Sequence, residues 1–466
     1  MAETSIPGTA GQPVATPVAS GEEHLPEALR TPTKPVTFGF TLIMTLANLA
    51  LWLSMNPVSA LLLPRQVEAF DIHTANPTQA ELLRQNNDLA LVLSVGVAVS
   101  IFSNAIGGAL SDRTTSRFGR RRPWLLLCAL LSAGSLALLA VAPAVAVLAI
   151  GWALYQLFAN GVLAALVAVV PDRVPERQRG LISAFVGLTN PLASVLGVVL
   201  IGIVFVGLFP IDATRTVMGY VVLLAVLVVV MAVFVLVLPD PALPKGTMPA
   251  FKLWRFVRSF WINPKQYPDF GWAWLTRFLV ILGYSTAIGS FLYFFIKDGL
   301  HYERLFPGQK PDAGVALVQI VAVAFLLISS IVGGILSDRF QRRKLFVIVS
   351  TVIISLALVM LSFYTLYPPS LVWPLILVAG AIVGFGFGAY LGVDLALVTQ
   401  VLPSAHDRGK DMGVFNIANA LPNALAPILG ATILSLTGNN YSIMFAAAAV
   451  LVLLGAILVQ PIKSVR

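Results

Sequence analysis

A chain of 466 residues that is 58% hydrophobic and only 11% charged cannot hide its apolar surface in a water-soluble core, and its mean hydropathy of +0.88 puts most of it in lipid. The formal net charge of +9 does not indicate nucleic acid as a partner, because the Lys and Arg residues sit in short loops between apolar runs. Cys128, the single cysteine, lies inside such a run, which excludes an intramolecular disulfide and a cysteine-built metal site.

Residues 1–36 are rich in Pro, Thr, Ala and Gly, hold no apolar run and carry Glu22, Glu23 and Glu27, the pattern of a disordered cytoplasmic tail rather than a signal peptide. Apolar runs long enough to cross about 30 Å of hydrocarbon follow at 37–63, 89–111, 123–142, 145–170, 180–208 and 215–238. A polar, Pro-rich linker occupies 239–269. Within it, Phe251, Trp254, Phe256, Phe260 and Trp261 interleave with Lys252, Arg255 and Arg258, which predicts an amphipathic helix on the inner leaflet, with partner binding as the alternative. Six further runs lie at 270–296, 313–336, 345–366, 371–402, 411–436 and 442–460. Lipid tolerates no open sheet edge, so all are expected as helices: an all-α membrane protein of twelve transmembrane helices in two six-helix bundles, 37–238 and 270–466.

The loops that share a side with the termini carry Arg113, Arg117, Arg120, Arg121 and Arg122, then Arg173, Arg177 and Arg179, then Lys245, Lys252, Arg255, Arg258 and Lys265, then Arg339, Arg342, Arg343 and Lys344, and last Arg408 and Lys410. The opposite loops carry only Arg65, Arg84, Arg215, Lys297, Arg304 and Lys310. That asymmetry predicts that both termini are cytoplasmic.

The two bundles share a repeat. Gly107-Gly108-Ala109-Leu110-Ser111-Asp112-Arg113 returns as Gly333-Gly334-Ile335-Leu336-Ser337-Asp338-Arg339, each copy closing an apolar run and opening a basic loop. A second match aligns Gly161-Val162-Leu163-Ala164-Ala165-Leu166-Val167 with Gly392-Val393-Asp394-Leu395-Ala396-Leu397-Val398, so the second half has Asp394 where the first has Leu163. A charge at such depth costs about 2.5–3.5 kcal/mol, which invites a functional reading of Asp394.

Twelve spans in two sixes, with Gly-x-x-x-Asp-Arg followed by Arg-Arg after the second and eighth, resemble the major facilitator superfamily from about residue 37 onward. The longer first loop, Ser111 to Pro123, is similar to that of the sucrose-carrier and glycoside–cation symporter branch. The resemblance implies that the first, fourth, seventh and tenth helices line a central path, and that one half rocks against the other around it. It also implies a monomer, and a gate at Gly108, Asp112, Arg113, Arg120 and Arg121, with Asp338 and Arg339 as a weaker copy. Asp112 is expected to bind the positive end of the eleventh helix near Asp411 and Met412, closing the inner side.

The residues support a central path independently. Asn48, Trp52 and Asn56 recur at helical spacing on the first helix, and Trp152, Gln156 and Asn160 on the fourth. Amides that bond hydroxyls and aromatic faces that cover sugar rings suit a small polar solute. The alternative is that the amides glue helices together and the Trp residues, Trp152 above all, sit at the membrane interface. Arg277 and Asp394 both lie roughly 10–12 Å deep at 1.5 Å per residue, so they are placed to pair. They are either a permanent ion pair or a proton-coupling site, which Tyr284 and Tyr390 would extend. Gly380, Gly384, Gly388 and Gly392 form a stripe for close helix packing or for a hinge. Asn416, Asn419 and Asn423 make a further polar face, part structural and part cavity lining.

No Gly-x4-Gly-Lys-[Ser/Thr] loop occurs, so the expected fuel is a gradient, and no cofactor is called for. Acidic residues are common in the first helices of the sugar-cation branch, whereas the first two helices here are expected to hold none before Asp112, which leaves proton coupling through Asp394 or no coupling at all. His24, His73, His301 and His406 fall in the tail or loops without a nucleophile or metal partner near in sequence, so no enzyme is expected. The favoured function is a proton-coupled sugar or glycoside transporter with solute, protons and membrane lipid as its partners. An exporter of lipophilic or cationic compounds and a transport-inactive membrane sensor are the alternatives.

Overall fold

The computed structural model describes residues 26–27, 30, 32–72, 77–204, 208, 212–244, 246–247, 266–340, 342–401 and 408–462. The expected amphipathic helix at 251–261 lies outside them, as does most of the tail. In the first half, α1 runs Phe38–Asp71, α2 Gln79–Asp112, α3 Arg122–Ala140, α4 Val145–Arg173, α5 Glu176–Ile203 and α6 Asp212–Val237. In the second, α7 spans Pro268–Gly299, α8 Pro311–Phe340, α9 Arg343–Ser362, α10 Pro369–Val401, α11 Arg408–Leu436 and α12 Tyr441–Leu458. Among the described residues, eleven helices are long and apolar enough to cross a membrane, and α7, bent by 42° between Pro268–Gly289 and Leu292–Gly299, makes twelve if it counts as one span. The expected all-α, two-bundle fold is therefore what the chain adopts.

Two helices are longer than expected. α1 continues past residue 63 because a π-turn, Val58–Leu62, carries the chain through Pro57, and Pro64 falls in the first turn of the next segment, where its missing N–H costs nothing. α2 begins ten residues before its apolar run, at a capping box in which Thr78 and Glu81 satisfy each other's backbone N–H groups. Glu68, Asp71, Glu81 and Asp88 thus belong to α1 and α2, at their far ends, which corrects the expectation that these helices hold no acid before Asp112.

The halves are built alike. Gly107 of α2 lies against Gly161 of α4, where a Cβ would come within 3.2 Å of the opposing Cα. In the second half a Cβ on Gly384, Gly388 or Gly392 of α10 would strike the backbone oxygens of Ala322, Leu326 and Ser330 on α8, the last at 2.5 Å. The glycine stripe is thus the seat of α8. The loops match as well. Arg122 donates to the Leu238 carbonyl past the end of α6 at 2.7 Å, and Lys344, its counterpart, donates to the carbonyls of Gln460 and Ile462 past the end of α12. Each cation meets the negative end of the last helix of its bundle.

The bundles meet along two seams, α2 beside α11 and α5 beside α8. Replacing Gly388 by Val forces α8 away from α10 and is expected to lower stability by about 1–3 kcal/mol, read as a lower melting temperature in detergent. Gly187→Ala on α5, where an added Cβ meets nothing within 4 Å, is the control expected to leave it unchanged.

Candidate functional site

α7 and α10 bring the two mid-membrane charges together. Arg277 donates through Nη1 to Oδ2 of Asp394, and the Tyr390 hydroxyl donates to Oδ1 at 2.9 Å. Tyr390 and Asp394 are a turn apart on one face of α10, so the hydroxyl lies above the carboxylate by helix geometry alone. Asp394 is only 5% exposed and Tyr390 wholly buried. Two bonds to the carboxylate offset the cost of holding it in lipid. Phe387 extends the face, with Tyr284 of α7 stacked on it at 3.8 Å and Tyr390 following at 6.2 Å. Arg277, Tyr284, Tyr390 and Asp394 thus form one assembly, into which the sequence did not place Phe387.

The first half carries neutral amides instead, on α1 and α4. Asn160 donates to the Gln156 side-chain oxygen at 3.0 Å and to its carbonyl at 2.9 Å, and both residues are buried. A 2.7 Å bond between Ser54 of α1 and Tyr155 of α4 fixes the register of the two antiparallel helices and sets Asn48 level with Asn160. Asn48 donates to Met44, and its side-chain oxygen, buried, has no hydrogen-bond partner among the described residues. Trp52, next on the stripe, is half-buried.

Other expected site residues are engaged with neighbouring groups or lie exposed. Asn56 donates to Asn190 at 2.9 Å and Ser194 at 2.7 Å, tying α1 to α5. Trp152 is 1% exposed, packed on Gly96 and stacked on Tyr155 at 5.3 Å, so its expected place at the membrane interface is incorrect. Asn419 is exposed and its carbonyl accepts from Asn423, which in turn accepts from Ser285 of α7 at 2.6 Å. The side chains of Asn416 and Asp338 lie outside the described residues, and Arg339 is exposed.

The basic loop between α2 and α3 forms a cage within its own half. Arg121 binds Asp112 at 2.5 Å, Ser111 at 2.6 Å and Asp172 at 2.9 Å, while Arg120 binds Asp172 at 2.5 Å. Gly119, at φ 107°, turns the loop so that Asp240 accepts the backbone N–H groups of Arg121 and Arg122. Arg113 bonds back to Ala109, and Gly108 lies beside Ala164. Asp112, expected to reach α11, has Arg121 as its partner among the described residues.

Among the described residues, a set of bonds joins the halves on the side away from the termini. Glu68 of α1 takes Lys297 at 2.8 Å and the Tyr293 hydroxyl at 2.9 Å, both from the bent tip of α7. Arg65 pairs with Asp312 of α8 at 3.3 Å, and Asn86 of α2 donates to Asn439, past the end of α11, at 2.7 Å. Sequence reading missed this closure because its residues looked like loop. The signal was there in the charged residues just beyond the first, seventh and eighth apolar runs.

A bilobed helical bundle with one closed end, repeated Gly-Asp-Arg loops and a paired charge between its seventh and tenth helices defines a membrane transporter scaffold. The chain belongs to the Major Facilitator Superfamily, whose family model matches residues 35–328 and 310–464. Similar folds include the nucleoside transporter NupG (TM-score 0.68, 14% identity, 91% of this chain and 99% of that one). A bacterial homologue of the human lysosomal transporter Spinster, inward-facing and unoccupied, is similar too (0.64, 14%, 92% and 97%), as is a POT family transporter in complex with a thioalcohol-conjugated peptide (0.66, 14%, 90% and 94%). No curated protein sequence matches the chain.

The Glu68–Lys297 pair is partly exposed and contributes about 0.2–1 kcal/mol. Glu68→Gln is therefore expected to raise labelling of a cysteine at Ser290, buried behind the closure, by up to about fivefold in a Cys128→Ser background. The exchanged pair, Glu68→Lys with Lys297→Glu, should restore protection. Equal labelling in all three forms would contradict the closure.

Proposed function

We infer that the protein is a secondary active transporter that moves a small polar solute, a sugar or glycoside, by alternating access, with protons coupled at Asp394. The observation that carries this reading is the buried assembly of Arg277, Asp394 and Tyr390, which spans α7 and α10. Protonating Asp394 removes one charge of the pair, loosens the tie between the two helices and frees α7 to move. One co-transported charge at 100 mV is worth about 2.3 kcal/mol, close to fiftyfold accumulation of a neutral solute.

The amides at Asn48, Gln156 and Asn160 supply donors and acceptors for hydroxyls, and Trp52 and Tyr284 supply ring faces. The unpartnered oxygen of Asn48 supports a ligand-binding role for it, since a buried acceptor without a donor is costly. Nucleoside transport by the similar NupG favours a polar, hydroxyl-bearing solute over a lipophilic one. The basic loops favour cytoplasmic termini, which would make the closed side external.

The test is transport in proteoliposomes, once a thermal-shift panel of sugars, glycosides, nucleosides and lipophilic cations at two pH values has identified the solute. Asp394→Asn is expected to abolish gradient-driven accumulation while solute exchange continues. Loss of both, or of neither, would overturn Asp394 as the coupling site. A thermal shift with lipophilic cations alone would favour export instead.

A further inference from the structure

One aromatic contact lies between the far-side closure and the mid-membrane charge. α7 runs from the termini side outward and α10 runs back, so Tyr284, a heptad beyond Arg277, and Phe387, a heptad before Asp394, both lie about 10 Å to the far side of the ion pair at 1.5 Å per residue. Their rings are within 4° of parallel with centroids at 3.8 Å, and Tyr390 follows Phe387 at 6.2 Å before its hydroxyl bonds Asp394. Phe387 is 9% exposed and Tyr390 wholly buried. Rings from two helices therefore stand on the far side of the carboxylate, and the titratable groups set against it are Arg277 and Tyr390.

The two rings of the stack are held differently. Phe387 stands among Gly384, Gly386 and Gly388, where an added Cβ would strike Ala322 and Leu326 of α8 and Ile354 of α9, so its backbone is pinned against two helices. Tyr284 is the last residue of the first α-helical segment of α7. A π-turn at Ser285–Gly289 and the 42° bend follow, and the tip beyond them carries Tyr293 and Lys297 to Glu68. One ring is fixed, and the other sits where α7 can turn.

We propose that the Tyr284–Phe387 stack is a proton barrier, with Phe387 the positioning residue that keeps far-side water from Asp394 until the tip of α7 moves. Breaking the bonds between the halves leaves the stack in place, because both rings belong to the second half. It parts when the π-turn swings Tyr284 off Phe387, which ties proton entry to the movement of α7. This role presupposes Asp394 as the proton-coupling site.

The experiment reads proton entry into proteoliposomes by a trapped pH dye, under an inside-negative potential and without solute. The unaltered protein is expected to hold the gradient. Phe387→Ala, and Tyr284→Ala as a second break of the same stack, are expected to raise proton flux by up to about tenfold. Phe387→Tyr, which keeps the ring, should stay tight, and Phe387→Ala combined with Asp394→Asn should become tight again. Unchanged flux in both alanine variants, an equal rise in Phe387→Tyr, or a leak that persists without Asp394 would each overturn the barrier. Asp394→Asn alone, assayed for solute accumulation, separates the two failures. Accumulation lost while both alanine variants stay tight overturns the barrier and keeps the coupling site; accumulation retained overturns the coupling site and the barrier with it.

Discussion

Hydrocarbon offers no water to a charge, and that constraint decides where this chain places its ions. They fall at three levels. On the termini side Arg120 and Arg121 are tied to Asp112 and Asp172 inside the first half. In mid-membrane Arg277 is tied to Asp394 inside the second. On the far side Glu68, Lys297, Arg65 and Asp312 are tied across the boundary between halves. The first set stiffens a bundle and the second links two of its helices. The far-side set holds the halves together, and it must break if they are to part there.

The halves share a scaffold but divide the chemistry. Close glycine contacts in both let α2 lie on α4 and α8 on α10, which turns the remaining faces of α4 and α10 toward the other helices of their bundles. On α4 that face carries the neutral pair Gln156 and Asn160; on α10 it carries Tyr390 and Asp394. The divergence at one aligned position, Leu163 against Asp394, thus separates a hydrogen-bonding wall from a charged one. A charge on both walls would double the desolvation cost without a second arginine to offset it.

Much of this was legible in the sequence. Long apolar runs gave the spans, the repeated Gly-Gly-x-Leu-Ser-Asp-Arg gave the two halves, and equal depth brought Arg277 to Asp394. What was not legible follows from how polar residues read at helix ends. The stretch after residue 63 and the stretch before residue 89 contain Arg65, Glu68, Gln85 and Asn86, which hydropathy assigns to loops and the structure keeps in helices, because partners on the opposite half satisfy them. Side-chain direction was equally hidden. Asn56 and Trp152 fall on stripes with Asn48 and Gln156, yet a few tens of degrees of rotation turn them into neighbouring helices.

The central claim is that closure alternates between the two sides of the membrane. It is tested most directly by spin-label distances in a Cys128→Ser background, with one pair at Ala80 and Glu303 on the far side and another at Thr115 and Arg342 on the termini side. The account predicts that solute and pH shift the two distances in opposite senses, the far-side pair lengthening as the termini-side pair shortens. Two distances that stay fixed, or that lengthen together, would contradict it.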